Sequence, residues 1–140
     1  MVSSLRIKLD VGAYTPTRAH TTDAGMDLYS RDNKVIPARG SVLFDTGVHI
    51  ELPQGTVGML KSKSGLNVNR GIVSEGVIDV GYTGSIRAKL YNLSDVDYVV
   101  CRGDKITQLV IMPYLAPDIE IVDELDATDR GDKGFGSSGR

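Results

Sequence analysis

Turn-forming residues interrupt this chain at intervals of roughly 8–12 positions, a spacing that admits many short strands and almost no helix. The breaks fall at Asp32-Asn33, Gly40, Thr46-Gly47, Pro53-Gln54-Gly55, Gly81, Gly84, Asn92, Gly103, Pro113 and Pro117. Between them, apolar residues take every second position in Leu5, Ile7, Leu9, in Val48, Ile50, Leu52 and in Ile86, Ala88, Leu90, the period of a half-buried strand. Further β-like runs lie at 42–44, 57–60, 77–80, 97–101, 106–112 and 118–122. The 15 Val and 10 Ile against 7 Ala weigh the same way. One short helix is expected after Ser64, because nowhere else does an apolar 3.6-residue period persist. The expected fold is mainly β, a sandwich or barrel in one domain without internal repeats.

At 140 residues the chain can bury roughly 68–70% of its unfolded surface, so it needs no disulfide or metal to hold a core. Its single cysteine, Cys101, makes no internal bridge, and Cys101, His20 and His49 offer no pair at metal-ligand spacing; a disulfide scaffold and a structural zinc site are excluded. Asp and Glu number 18 against 16 Lys and Arg, with no basic block. That excludes a duplex-binding footprint and leaves room for a small anionic ligand. The first eight residues lack an apolar h-region, and the longest apolar stretch, Leu109 to Ala116, is broken by Pro113. Neither export nor membrane spanning is expected, and the chain reads as cytoplasmic.

The last eleven residues, RGDKGFGSSGR, are too poor in apolar groups to pack as a strand and read as a tail, 130–140, beyond a body of 1–129. Glycines at 131, 134, 136 and 139 let backbone N–H groups approach an anion, while Arg130, Ser137 and Ser138 add donors for phosphate oxygens. A Gly/Ser terminus with no role would have the same composition. Phe135 counts against that, since a ring in a solvated tail gains only from a flat partner such as a base. Gly134 to Gly139 also spells GxGxxG, but no strand precedes it and no helix can follow, so it opens no dinucleotide fold.

GVIDVGYTG at 76–84 reads as a β-hairpin turning through Gly81 to Gly84. Its backbone can meet the edge of a planar ligand, with Asp79, a candidate base, and Tyr82 at a fixed separation; taken alone it reads first as a turn aspartate and a packing tyrosine. KSKSGL at 61–66 sets Lys63 and Ser64 before the short helix, either as an anion site or as an N-cap beside a solvated lysine. TDAGMDLYS and RGDKITQLV place Asp27 and Gln108 among apolar strand neighbours, as hard oxygen donors suited to Mg²⁺ directly or through its waters. The two Arg-Gly-Asp tripeptides are chance matches. His49, between Val48 and Ile50, is expected to point away from the apolar face, and His20 lies in a polar loop; both read as surface or subunit-contact positions.

Taken in order, AGMDLYS, KSKSGL, GVIDVGYTG, RGDKITQLV and RGDKGFGSSG resemble the five motifs of the homotrimeric dUTP pyrophosphatases, over about residues 20–140. The resemblance implies a jelly-roll-like β domain, assembled as a trimer whose three active sites each draw on all three chains. It implies hydrolysis of dUTP to dUMP and pyrophosphate, which removes dUTP and supplies dUMP for thymidylate synthesis. Asp79 would activate the attacking water and contact the 3′-hydroxyl. Tyr82 would pack under the sugar and leave no room for a 2′-hydroxyl. Backbone around Val77 and Ile78 would read the uracil edge. Asp27 and Gln108 would hold Mg²⁺ through its waters, and Lys63, Ser64 and Gly65 would bind the phosphates, with Gln108 also on the substrate side. From the tail, Arg130, Gly136, Ser137 and Ser138 would close on the γ-phosphate and Phe135 would stack on uracil.

The second motif departs from the family pattern, which usually reads Pro-Arg-Ser: here Ser62 and Lys63 stand in the first two places, and a bidentate guanidinium becomes a point charge. Two rivals share the fold in this reading, a dCTP deaminase and a regulatory nucleotide-binding protein. No nucleic-acid or membrane partner is expected.

Overall fold

The computed structural model describes residues 4–134 and 136 of the chain. It is mainly β, as expected, with ten strands and one helix among those residues. The strands are β1 (Arg6–Leu9), β2 (Gly25–Tyr29), β3 (Lys34–Ile36), β4 (Ser41–Asp45), β5 (Val48–Glu51), β6 (Thr56–Lys61), β7 (Ile72–Ile78), β8 (Arg87–Asn92), β9 (Tyr98–Val100) and β10 (Lys105–Pro113), with α1 (Ser64–Arg70) between β6 and β7. Six strands form one curled antiparallel sheet in the order β2-β10-β6-β7-β8-β4, and β1-β5 and β3-β9 pair separately to complete a jelly-roll-like body.

The period-two pattern explains which side chains enter the core. In β8, Ala88, Leu90 and Asn92 point inward and Arg87, Lys89 and Tyr91 outward. They meet Leu28, Ile36, Phe44, Val48, Ile72, Val100 and Leu109, all essentially buried. Asn92 is admitted because its amide is saturated: it donates to the Ile36 carbonyl at 3.0 Å and the Val96 carbonyl at 2.8 Å, and accepts from Ser94. The helix follows Ser64 as expected and stops at Gly71, whose φ of 69° forms a left-handed cap that a residue with a side chain rarely adopts.

Two expectations need correction. The run at 118–122 is not a strand: Ile119 and Ile121 are about nine-tenths exposed, because the chain leaves the sheet at Pro113 and no strand of its own body lies alongside it. In β1 the alternation buries Leu5 and Ile7 only in part and leaves Leu9 exposed, since β1 pairs with β5 alone. Among the described residues no helix is long and apolar enough to cross a membrane. Cys101 is exposed.

Candidate active site

Asp27 on β2 stands directly opposite Gln108 on β10, so both side chains share one face of the sheet. Lys105 lies three residues before Gln108, and strict alternation would send it to the other face. A bulge between Lys105 and Thr107 reverses this: Lys105 pairs with Tyr29 and Thr107 with Leu28, which returns Lys105 to the face of Asp27. Its Nζ lies 3.3 Å from Asp27 Oδ2, and Lys63 Nζ forms a second ion pair with Asp27 Oδ1. The Asp27 side chain is 6% exposed, so the carboxylate is held out of water by two ammonium groups, and the cluster keeps an excess of one positive charge. No spacing rule in the sequence points to Lys105.

The strand ends around the cluster are braced by hydroxyl groups. Gln108 Nε2 donates to the Ser62 carbonyl at 2.9 Å, which turns its Oε1 over Gly25. Thr107 Oγ1 donates to the Lys61 carbonyl at 3.0 Å and shares a 2.7 Å hydrogen bond with Ser74 Oγ, while the Ser74 N–H donates to Ser62 Oγ at 2.9 Å. Ser64 and Gly65 open α1 and are exposed, with Lys63 at the N-cap position and no side-chain cap, so the N-cap role considered for Ser64 does not hold. Among the described residues no three His, Cys, Asp or Glu side chains converge as a metal cage. One carboxylate already touching two ammonium groups and one amide oxygen fit an ion held through its waters, not one ligated directly.

The expected hairpin at 76–84 is splayed. Pairing of β7 with β8 ends at Ser74 opposite Leu90, and beyond it Gly76, Val77 and Ile78 are laddered to β6 only. The opened arms flank a cavity of about 260 Å³ floored by Leu60 and Ile86 and lined by Gly76, Val77, Ile78, Asp79, Tyr82 and Arg87. Backbone polar groups of 76–78 on the cavity side thus have no strand partner. Asp79 is exposed, and its carbonyl accepts the Tyr82 N–H at 3.1 Å. Tyr82 folds back so that its hydroxyl donates to the Ser85 carbonyl at 2.8 Å, over Gly84, where a Cβ would lie 2.6 Å from the ring and push the tyrosine aside.

The turn is fastened from β4 and β5. Ser85 Oγ donates to Asp45 and accepts the Gly47 N–H at 3.0 Å, and Ile86 exchanges hydrogen bonds with Thr46 and Val48. The Ser85 hydroxyl, the Gly47 N–H and the nearby Arg31 and Arg87 hold the Asp45 carboxyl below its ordinary range despite its partial burial. His49 points away from the apolar face of β5, as expected, and its ring bridges Asp10 and the Thr83 carbonyl, hydrogen bonds that raise its pKa above the ordinary 6.5. His20 is exposed beside Asp23.

Among the described residues, no hydrogen bond or ion pair joins the tail to this site. Arg130 Nε donates to the Lys133 carbonyl at 2.6 Å, and Gly136 is exposed with φ of 82°. Phe135, Ser137 and Ser138 lie outside the described residues.

The dUTPase family model matches residues 12–139. The chain is 43% identical over 140 residues to a deoxyuridine 5′-triphosphate nucleotidohydrolase of Paramecium bursaria Chlorella virus 1, covering 99% of both chains. Its fold is similar to that of the Staphylococcus bacteriophage 80alpha dUTPase solved with dUPNHPP, with a TM-score of 0.89, 32% identity and 99% and 100% of the two chains covered. It is also similar to the D95N dUTPase of phage phi11 of S. aureus, a structure that describes coordination of a structural Mg(II) ion, with a TM-score of 0.80, 30% identity and 86% and 97% coverage. The family match over residues 12–139 and the 43% identity over nearly the full chain make this chain a member of the dUTPase family.

Proposed function

We propose that the chain hydrolyses dUTP to dUMP and pyrophosphate, removing dUTP and supplying dUMP for thymidylate synthesis in the cytoplasm or a host-cell interior. The observation that carries this reading is the cavity between the arms of β7 and β8. At about 260 Å³ it falls below the roughly 300–1,000 Å³ of pockets for drug-sized ligands, a size for a nucleoside with its phosphates outside. Adjacent strand residues turn their N–H and C=O to opposite edges, so the backbone around Val77 and Ile78 aims one residue's donor and acceptor at the cavity for a uracil edge, and Tyr82 backs the sugar and leaves no space for a 2′-hydroxyl. Asp79 takes a proton from a water as its oxygen bonds to the α-phosphorus; the bond to the bridging oxygen breaks and pyrophosphate leaves.

The surplus positive charge of the Asp27, Lys63 and Lys105 cluster suits the phosphates, with Ser64 and Gly65 adding donors. Asp27 and Gln108 would hold a hydrated Mg²⁺, which when bound neutralises triphosphate charge. The active unit is a homotrimer with shared sites. Supporting this, the described stretch after Pro113 is exposed throughout, and its Leu115, Ile119, Ile121 and Leu125, each roughly nine-tenths exposed, have no cover among the described residues, an apolar surface that a second copy would bury. Residues 130–140 form the arm that closes over a neighbouring site, with Arg130, Gly136, Ser137 and Ser138 on the γ-phosphate and Phe135 on the base. The test is pyrophosphate release with Mg²⁺ from dUTP, UTP, dTTP and dCTP separately. Release from dUTP alone is expected; ammonia from dCTP, or no release from any of them, would overturn the reading.

A further inference from the structure

Both ring nitrogens of His49 face groups that only accept. Nδ1 lies 2.7 Å from the Thr83 carbonyl oxygen, and Nε2 lies 3.0 Å from each oxygen of Asp10. A neutral imidazole carries one N–H and can serve one of these partners; an imidazolium carries two and serves both. Asp10 is itself fixed, its N–H donating to the Gly47 carbonyl at 2.8 Å. Besides the Tyr82 hydroxyl's bond to the adjacent Ser85 carbonyl, the bond to Thr83 is the one side-chain hydrogen bond among the described residues that reaches residues 79–84 from outside them, since Asp45, Gly47, Thr46 and Val48 act on Ser85 and Ile86. The other charged groups facing His49 are Lys8, directly opposite on β1, and the Arg6–Glu51 ion pair beside it. The Lys8 charge opposes protonation, and Asp10, bonded directly, outweighs it.

We propose that His49, as an imidazolium, is a positioning residue for the turn that carries Asp79 and Tyr82, and that its deprotonation releases the turn tip. This rests on the proposed dUTP hydrolysis for its kinetic consequence but not for its structural one. Loss of the proton leaves either Thr83 or Asp10 without a donor. The tip loosens, and the site binds nucleotide less well as pH rises through the His49 midpoint.

The test combines imidazole NMR titration of the intact protein with the pH dependence of KM and kcat for dUTP. With only two histidines in the chain, His20 provides the reference signal. His49 should titrate above 6.5, with the Tyr82 and Thr83 amide signals moving at the same midpoint. KM should rise about fivefold through it, the net effect of one hydrogen bond, while kcat changes less than about twofold. His49→Gln should show the high KM at every pH, and His49→Arg, which keeps its charge, should restore a low KM without the pH step. Asp10→Asn, which leaves the Thr83 bond in place, should move the NMR midpoint and the KM step down together. A midpoint at or below 6.5, turn signals that do not follow it, or a wild-type KM profile in His49→Gln would overturn the proposal. If dUTP is not turned over but the turn signals co-titrate with His49, the clamp stands and the proposed function fails.

Discussion

Gly25 and Gln108 occupy one space: a Cβ on residue 25 would overlap the Gln108 amide oxygen and lie 2.9 Å from its Cδ. The glycine of the first motif is therefore the seat of the amide of the fourth. Gly25→Ala is expected to push the Gln108 side chain aside rather than unfold the sheet, because the obstructing atoms end a flexible chain. Stability should fall by less than about 1.5 kcal/mol. Activity on dUTP should fall as far as in Gln108→Ala. Thermal melts and turnover on both variants check this; a Gly25→Ala enzyme of wild-type activity would separate Gln108 from the site.

Removing Asp27 should cost more than removing either lysine. Asp27→Ala leaves Lys63 and Lys105 facing each other without a counter-charge, a loss of about 1–3 kcal/mol because water reaches both ammonium groups. Lys105 is about half exposed, and Lys105→Ala should cost less than about 1 kcal/mol. Urea titrations give the order. Lys63→Ala should lower kcat/KM for dUTP, and an unchanged value would take Lys63 out of phosphate binding.

Asp79→Asn is expected to lose at least about 10²-fold in kcat while still binding nucleotide, the usual contribution of a general base. The residue is exposed and only its carbonyl is used within the turn, so the melt should not move. Wild-type turnover would assign proton removal to another group.

Acid should loosen the turn from its other anchor. The Asp45 carboxyl is held below its ordinary value of 3.8 chiefly by Ser85, so its contribution is present above that value and lost as pH falls through the depressed one. Asp45→Asn should therefore melt below wild type at neutral pH, by less than about 1 kcal/mol for so exposed a group, and the gap should close under acid. Melts at a series of pH values read the convergence; a constant gap would mean that packing, not charge, is lost.

Much of this was legible in the residues. The alternation of Ile86, Ala88 and Leu90 and of Val48, Ile50 and Leu52 reports core positions directly, because each strand buries one face. The helix after Ser64 was legible from its period. Lys105 was not, because a bulge breaks the parity on which spacing arguments depend. The opening of the hairpin was not, since a turn signal fixes where a chain reverses and not where pairing stops. Three-residue β3 is too short to show a period, and the run at 118–122 has a strand's composition without a strand beside it in its own chain.

The opening between β7 and β8 leaves an unfinished ladder in an otherwise continuous sheet. A planar ligand lodged there would act as the missing rung, held by main chain instead of by side chains. Discrimination among bases would then be a property of chain path. Point substitutions at Val77 would leave it intact, whereas a single residue inserted or deleted between Ile78 and Ile86 would reset the gap and change which base is admitted.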